Sequence, residues 1–136
     1  MTIGTWEPDK NQQQEREVLS SEFLERAIAA SFENRLENLD EVFALAEQSR
    51  LATAMRQSEE QWLQAVNALS SAHIYHLMRF LTVAEMAFND CEAGPNSPVI
   101  SLNKLLKTRG EALQKEQVLW IKSHTRNRYL PNGAVL

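Results

Sequence analysis

The chain has 136 residues, a length that fits one domain able to bury a core without help from a disulfide or a metal. Its 43% hydrophobic and 24% charged residues are ordinary globular values, and four glycines and four prolines are too few for a turn-rich β fold. The single cysteine excludes an internal disulfide and a CxxC site. The polar N-terminus is unlike a signal peptide, and charges interrupt every apolar stretch. We therefore expect a soluble, cytoplasmic, helical protein without a membrane span.

Charge is distributed unevenly along the chain. The formal net charge is −4. Residues 1–100 carry 7 basic and 16 acidic residues, a balance of −9, whereas residues 101–136 carry 7 basic and 2 acidic residues, a balance of +5. This asymmetry is typical of a basic end that binds an anionic partner, but it also fits two chain ends that attract each other or a solvated face.

The N-terminal part of the chain predicts a tail followed by helices. Residues 1–14 lack periodicity and predict a flexible tail. A helical pattern of apolar residues begins near Glu15, and a second one follows from Leu36 with Asn38 as a candidate N-cap. No glycine or proline separates the two patterns, so the sequence leaves open whether they form one bent helix or two.

The strongest helical pattern follows the sequence SEEQ, which predicts a capping box between Ser58 and Gln61. From there, apolar positions alternate steps of three and four as far as Ala87. This pattern predicts a central helix at about 59–88, with a second apolar stripe that would be covered on several sides. The two stripes would also allow a two-fold homodimer.

Two shorter helices are predicted after a Gly-Pro break, at about 98–109 and 114–126. Residues 131–136 then close the chain as a turn and tail. The predicted fold is a single all-α domain over residues 15–130. It is an irregular bundle of four to five helices around the central helix.

His73 and His76 are the first candidate functional residues. Because residues three apart share a helix face, both imidazoles could bind one transition metal ion. A zinc or iron centre needs at least a third ligand, for which the candidates are His124, Cys91 and Glu85. One alternative function is therefore a metal-binding helical bundle or enzyme. Otherwise both histidines lie on the packed seam of the central helix.

The basic C-terminal segment is the second candidate site. Cations of this kind neutralise phosphates or carboxylates, and aromatic rings stack on unpaired bases. The candidate partner-binding residues are Lys115, Trp120, Lys122, Arg126, Arg128 and Tyr129. The last two helices also have a spacing similar to a helix-turn-helix, with Gly110 in the turn. Leu105, Leu113 and Leu119 would be its packing positions, but Glu116 falls where an apolar residue is expected.

Catalytic motifs are absent from the sequence. Asp90 and Glu92 flank Cys91 and would raise the pKa of its thiol. There is no GxSxG motif, no glycine-rich phosphate loop and no dinucleotide-binding fingerprint. We therefore expect a small interaction or regulatory protein, without catalysis or cofactor, that binds an acidic protein or a nucleic acid through its basic end. A DNA- or RNA-binding regulator using the last two helices is the other alternative.

Overall fold

The structure is a computed structural model that describes residues 18–133. Within these residues the chain forms seven α-helices, three short 3-10 helices and no strand, so the all-α prediction is confirmed. None of these helices is long and apolar enough to cross a membrane. The predicted tail at residues 1–14 lies outside the described residues, as do residues 134–136. The α-helices are α1 Ser21–Phe32, α2 Leu39–Val42, α3 Leu45–Met55, α4 Glu59–Val66, α5 Ser71–Ala87, α6 Pro98–Thr108 and α7 Lys115–Ser123.

The two helical patterns near the N-terminus belong to separate helices. After α1, Asn34 adopts a left-handed backbone conformation with φ 55°, which interrupts helical hydrogen bonding. A 3-10 helix at Leu36–Asn38 then leads into α2. Asn38 stands at the N-cap position as predicted, but its side chain makes no capping hydrogen bond.

The predicted capping box at the start of α4 is present. The Gln61 backbone N–H donates to the Ser58 hydroxyl at 3.2 Å, and the Ser58 backbone N–H donates to the Gln61 side chain at 2.9 Å. The pair satisfies two backbone donors that no helical carbonyl can reach. It also fixes the direction in which the chain enters the helix.

The predicted helix at 59–88 is interrupted, and the single continuous helix was wrong at residues 67–70. Ser70 caps α5 by accepting a hydrogen bond from the His73 backbone N–H at 3.1 Å. The end of α4 is held by Arg109, which donates to the Leu69 carbonyl at 2.8 Å and to the Asn67 carbonyl at 3.1 Å. A side chain forty residues away thus satisfies carbonyls that a continuous helix would have used.

Helix α5 is the central helix of the fold. It packs against α1, α2 and α6. Its inward face is fully buried and consists of Ile74, Leu77, Met78, Phe80, Leu81 and Ala84. Its outward face, which carries His76, Arg79 and Met86, remains partly accessible.

The C-terminal third folds back onto α5. Ser97 caps α6 by accepting from the Val99 backbone N–H at 3.2 Å, and Pro98 occupies the first helical position. After α7, the chain reaches the buried Pro131, whose carbonyl accepts from the Asn103 amide at 3.1 Å. This return brings the basic segment next to the outward face of α5.

Candidate functional site at the C-terminal surface

A buried carboxylate holds the C-terminal segment to α5. Glu85 is only 4% exposed. One of its carboxylate oxygens accepts from the Ala93 backbone N–H at 3.3 Å and from the Asn127 amide at 3.2 Å, and the other accepts from the Ser97 hydroxyl. Burial raises the pKa of Glu85, and these hydrogen bonds offset only part of that rise.

Asn127 fixes the turn that carries two of the predicted partner-binding cations. Its amide also donates to the Gly94 carbonyl at 3.0 Å, and its side-chain oxygen accepts from the Tyr129 backbone N–H at 3.0 Å. The residues on either side of it, Arg126 and Arg128, are exposed. The turn therefore presents two guanidinium groups from a backbone that is fastened to the core.

These residues border an open cleft of about 450 Å³. Three of the predicted site residues, Arg126, Arg128 and Tyr129, line it together with Glu85 and Met86. The Arg128 guanidinium lies over the Tyr129 ring, 5.7 Å from its centroid. The structure thus brings half of the predicted partner-binding residues together at one cleft.

The other predicted residues lie on two different faces of α7. Lys115 and Lys122 are exposed and seven residues apart, so they share a face on which Leu119 is also 54% exposed. Trp120 is half-buried and lies against α5, with the Arg79 guanidinium 4.4 Å from its ring centroid. The six predicted residues therefore do not form one continuous patch.

Among residues 18–133, the four basic residues of this surface have no ion-pair partner. Within residues 18–133, no carboxylate lies within salt-bridge distance of Lys115, Lys122, Arg126 or Arg128. All four side chains are exposed.

The two candidate metal ligands occupy different environments. His73 is exposed, so its predicted place on the packed seam was wrong, whereas His76 is half-buried and stacks on Phe32 with ring centroids 3.7 Å apart. The interruption before α5 explains the error, because the apolar stripe of α4 does not continue in phase into α5. His76 Nδ1 lies 2.8 Å from the Ser31 hydroxyl. Burial and then the charges of Arg79 and His73 lower the pKa of His76.

The residues named as third ligands are engaged elsewhere. Within the part of the chain that the structure describes, no group of three histidine, cysteine, aspartate or glutamate side chains is placed to hold a metal ion. Glu85 follows His76 by nine residues, about 13 Å along the helix axis. Cys91 is buried, and burial with the charges of Asp90 and Glu85 raises its pKa to about 11. His124 stacks on Trp120 at 3.9 Å.

The last two helices do not pack as the helix-turn-helix spacing predicted. Six residues separate the end of α6 from the start of α7, and Gly110 lies among them with φ 74°. Leu105 and Leu113 are half-buried, but the predicted packing position Leu119 is exposed. The packing prediction for Leu119 was therefore wrong, because Ile121 is the α7 side chain that enters the core.

The chain matches no protein-family model, no curated protein and no solved structure.

Proposed function

We propose that this protein is a small non-catalytic interaction or regulatory protein that binds an acidic protein or a nucleic acid through its basic C-terminal end. The observation that carries this proposal is the set of exposed cations without an ion pair among the described residues: Lys115, Lys122, Arg126 and Arg128. A cation that has no ion-pair partner within its own chain can form charge-assisted hydrogen bonds with carboxylates or phosphates of another molecule.

The charge distribution of the whole chain supports the same reading. The balance is +5 over residues 101–136 and −9 over residues 1–100. Such an asymmetric field would orient an approaching anionic partner toward the basic end and away from the acidic helices. The chain therefore needs no overall positive charge to favour one docking direction.

The fixed turn at Asn127 favours specific binding over non-specific electrostatic attraction. The Asn127 and Glu85 side chains fasten the turn to α5 before any partner arrives. A surface that is ordered in advance loses less conformational entropy on binding. Arg126 and Arg128 should therefore contribute more per charge than lysines on a mobile tail would.

The burial of the candidate nucleophiles, Ser31 and Cys91, supports a non-catalytic role. Ser31 forms the only Ser–His pair in the described residues that bridges two helices, but Ser31 is 1% exposed. Cys91 is buried, and its pKa of about 11 leaves it protonated at neutral pH. Neither side chain offers an activated nucleophile at the surface.

The proposal is tested by charge reversal in the full chain. We expect Lys122→Glu combined with Arg126→Glu to abolish co-purification of an anionic partner that the wild type retains at low salt. A matched control, Arg35→Glu with Lys104→Glu, makes the same change in net charge at exposed positions outside the site and should retain the partner. If the site variant retains every partner of the wild type, the proposal is wrong.

A further inference from the structure

Two of the three histidines, His76 and His124, belong to one strip of aromatic and cationic side chains. His76 stacks on Phe32 with centroids 3.7 Å apart and planes at 22°, and His73 forms a T-shaped pair with Phe32 with centroids 5.8 Å apart. One helical turn further along α5, Arg79 lies over Trp120, which stacks on His124 at 3.9 Å and 13°. We call Phe32, His76, Arg79, Trp120 and His124 the ring strip.

Each stack in the ring strip ends in an exposed ring. Phe32 is 52% exposed although His76 covers one side of it. His124 is exposed although Trp120 covers one side of it. Phenylalanine is among the residues most often buried, and a flat ring face is the surface on which a nucleic-acid base stacks.

Cations accompany the rings. Arg79 lies between the two stacks, and its charge acts on His76 and Tyr75. Its buried Nε has no hydrogen-bond partner among the described residues. At the far end, the Arg126 backbone N–H donates to the Met86 sulfur at 3.4 Å, which brings the cationic turn against the same face of α5. Rings and positive charges therefore alternate along the surface.

We propose that the ring strip binds a single-stranded nucleic acid, with bases stacked on Phe32 and His124 and phosphates neutralised by Arg79 and Arg126. This inference rests on the proposed function and names its partner class. An acidic peptide would pair with the cations but would not use the two exposed rings, Phe32 and His124, as stacking surfaces. A duplex would satisfy the cations but keeps its bases stacked inside.

The first test is direct binding to the full chain. Fluorescence anisotropy of a labelled oligodeoxythymidine of about 12 nucleotides should show saturable binding that weakens as salt is raised. The same measurement with a duplex of equal length should show at least tenfold weaker binding. Absence of binding to the single strand at low salt, or equal affinity for the duplex, overturns the inference.

The second test removes the ring faces. Phe32→Ala with His124→Ala should weaken binding by about thirtyfold, which corresponds to the lower end of the stacking contribution for two bases. Leu45→Ala, a matched removal of an exposed apolar side chain on α3, should leave the affinity unchanged. His124→Ala alone, a change at an exposed helix end, should still weaken binding at least fivefold if the double variant fails to fold.

The variants separate this inference from the proposed function. Loss of binding in the ring variants supports the ring strip. Binding that survives the ring variants but is lost in Lys122→Glu with Arg126→Glu overturns the ring strip and leaves the basic end as the site. A wild-type chain that binds no single strand but retains an acidic protein through the basic end likewise overturns only the ring strip. Binding that survives both the ring variants and the charge-reversal variant overturns the ring strip and the basic end as binding sites.

Discussion

Replacing Glu85 with alanine is the sharpest perturbation that the structure offers. The carboxylate joins three segments, because it accepts hydrogen bonds from the Ala93 backbone, the Ser97 hydroxyl and the Asn127 amide. Its removal would leave those donors without their acceptor and would open a cavity beside the core. We expect the turn at Asn127 to loosen as well as the fold to weaken.

The magnitude follows from two opposing effects. Each buried donor left without a partner costs about 1–3 kcal/mol, although water from the adjoining cleft would satisfy part of that demand. Removal of a buried carboxylate also relieves the desolvation that raises its pKa. We therefore expect Glu85→Ala to lower the free energy of unfolding by about 3 kcal/mol.

The assay is urea denaturation followed by circular dichroism, with Glu85→Gln as the matched control. Glutamine keeps the volume and one acceptor oxygen, and its amide can donate to the Ser97 hydroxyl. We expect a loss of at most about 1 kcal/mol for this control. A loss below about 1 kcal/mol in Glu85→Ala would contradict the role assigned to the carboxylate.

The pH dependence of the unfolding free energy provides a second test of the role of Glu85. Because burial raises the pKa of Glu85 above its ordinary value of 4.5, the folded state favours the protonated carboxyl. Its contribution to stability is fully present below that value and is lost as the pH rises through the folded-state pKa. The stability of the wild type relative to Glu85→Gln should therefore fall as the pH rises above about 4.5. A relative stability that rises over this range would refute the reasoning.

Three further predictions concern local stability. Gly110→Ala should lower the unfolding free energy by about 1 kcal/mol in thermal denaturation, because Gly110 has φ 74°; Gly110→Asn should cost less. Ser58→Ala should cost about 1 kcal/mol by removing the N-cap of α4, and an unchanged melting temperature would contradict this. His76→Gln should flatten the pH dependence below 6.5, because the lowered pKa of His76 contributes stability that is lost as the pH falls.

The sequence predicted those features of the fold that depend on neighbours a few residues away. The capping box at Ser58 and the start of α6 near residue 98 both follow from interactions within one helical turn. Apolar periodicity likewise located α5 as the central helix. Such signals are local, so a single sequence is enough to interpret them.

The interruption between α4 and α5 depended on a distant residue. Ser70 is a good N-cap, but a serine inside a continuous apolar pattern can also point outward from an unbroken helix. Arg109 favours the break because it binds the Asn67 and Leu69 carbonyls, and it lies forty residues further along the chain. No pattern within residues 59–88 contains that information.

The role of Glu85 was missed for the same reason. The sequence offered it only as a third metal ligand, because its partners Ser97 and Asn127 lie 12 and 42 residues away. A lone glutamate on the apolar side of a predicted helix was the one available signal, since a buried carboxylate requires partners. It identifies a buried polar junction but not the segments that meet there.

The two proposed surfaces adjoin each other on the outward face of α5. The ring strip includes His76 and Arg79 of α5. The exposed Met86 lies two turns further along this helix, where its sulfur accepts a hydrogen bond from the Arg126 backbone N–H. A partner that covers both the ring strip and the cleft lined by Arg126 and Arg128 must therefore pass over Met86. A single strand bound to the ring strip should bury the Met86 thioether and slow its oxidation by hydrogen peroxide, whereas a partner confined to Lys115 and Lys122 should leave that rate unchanged. Slower oxidation of Met86 in the presence of the single strand would indicate that the two surfaces form one continuous interface.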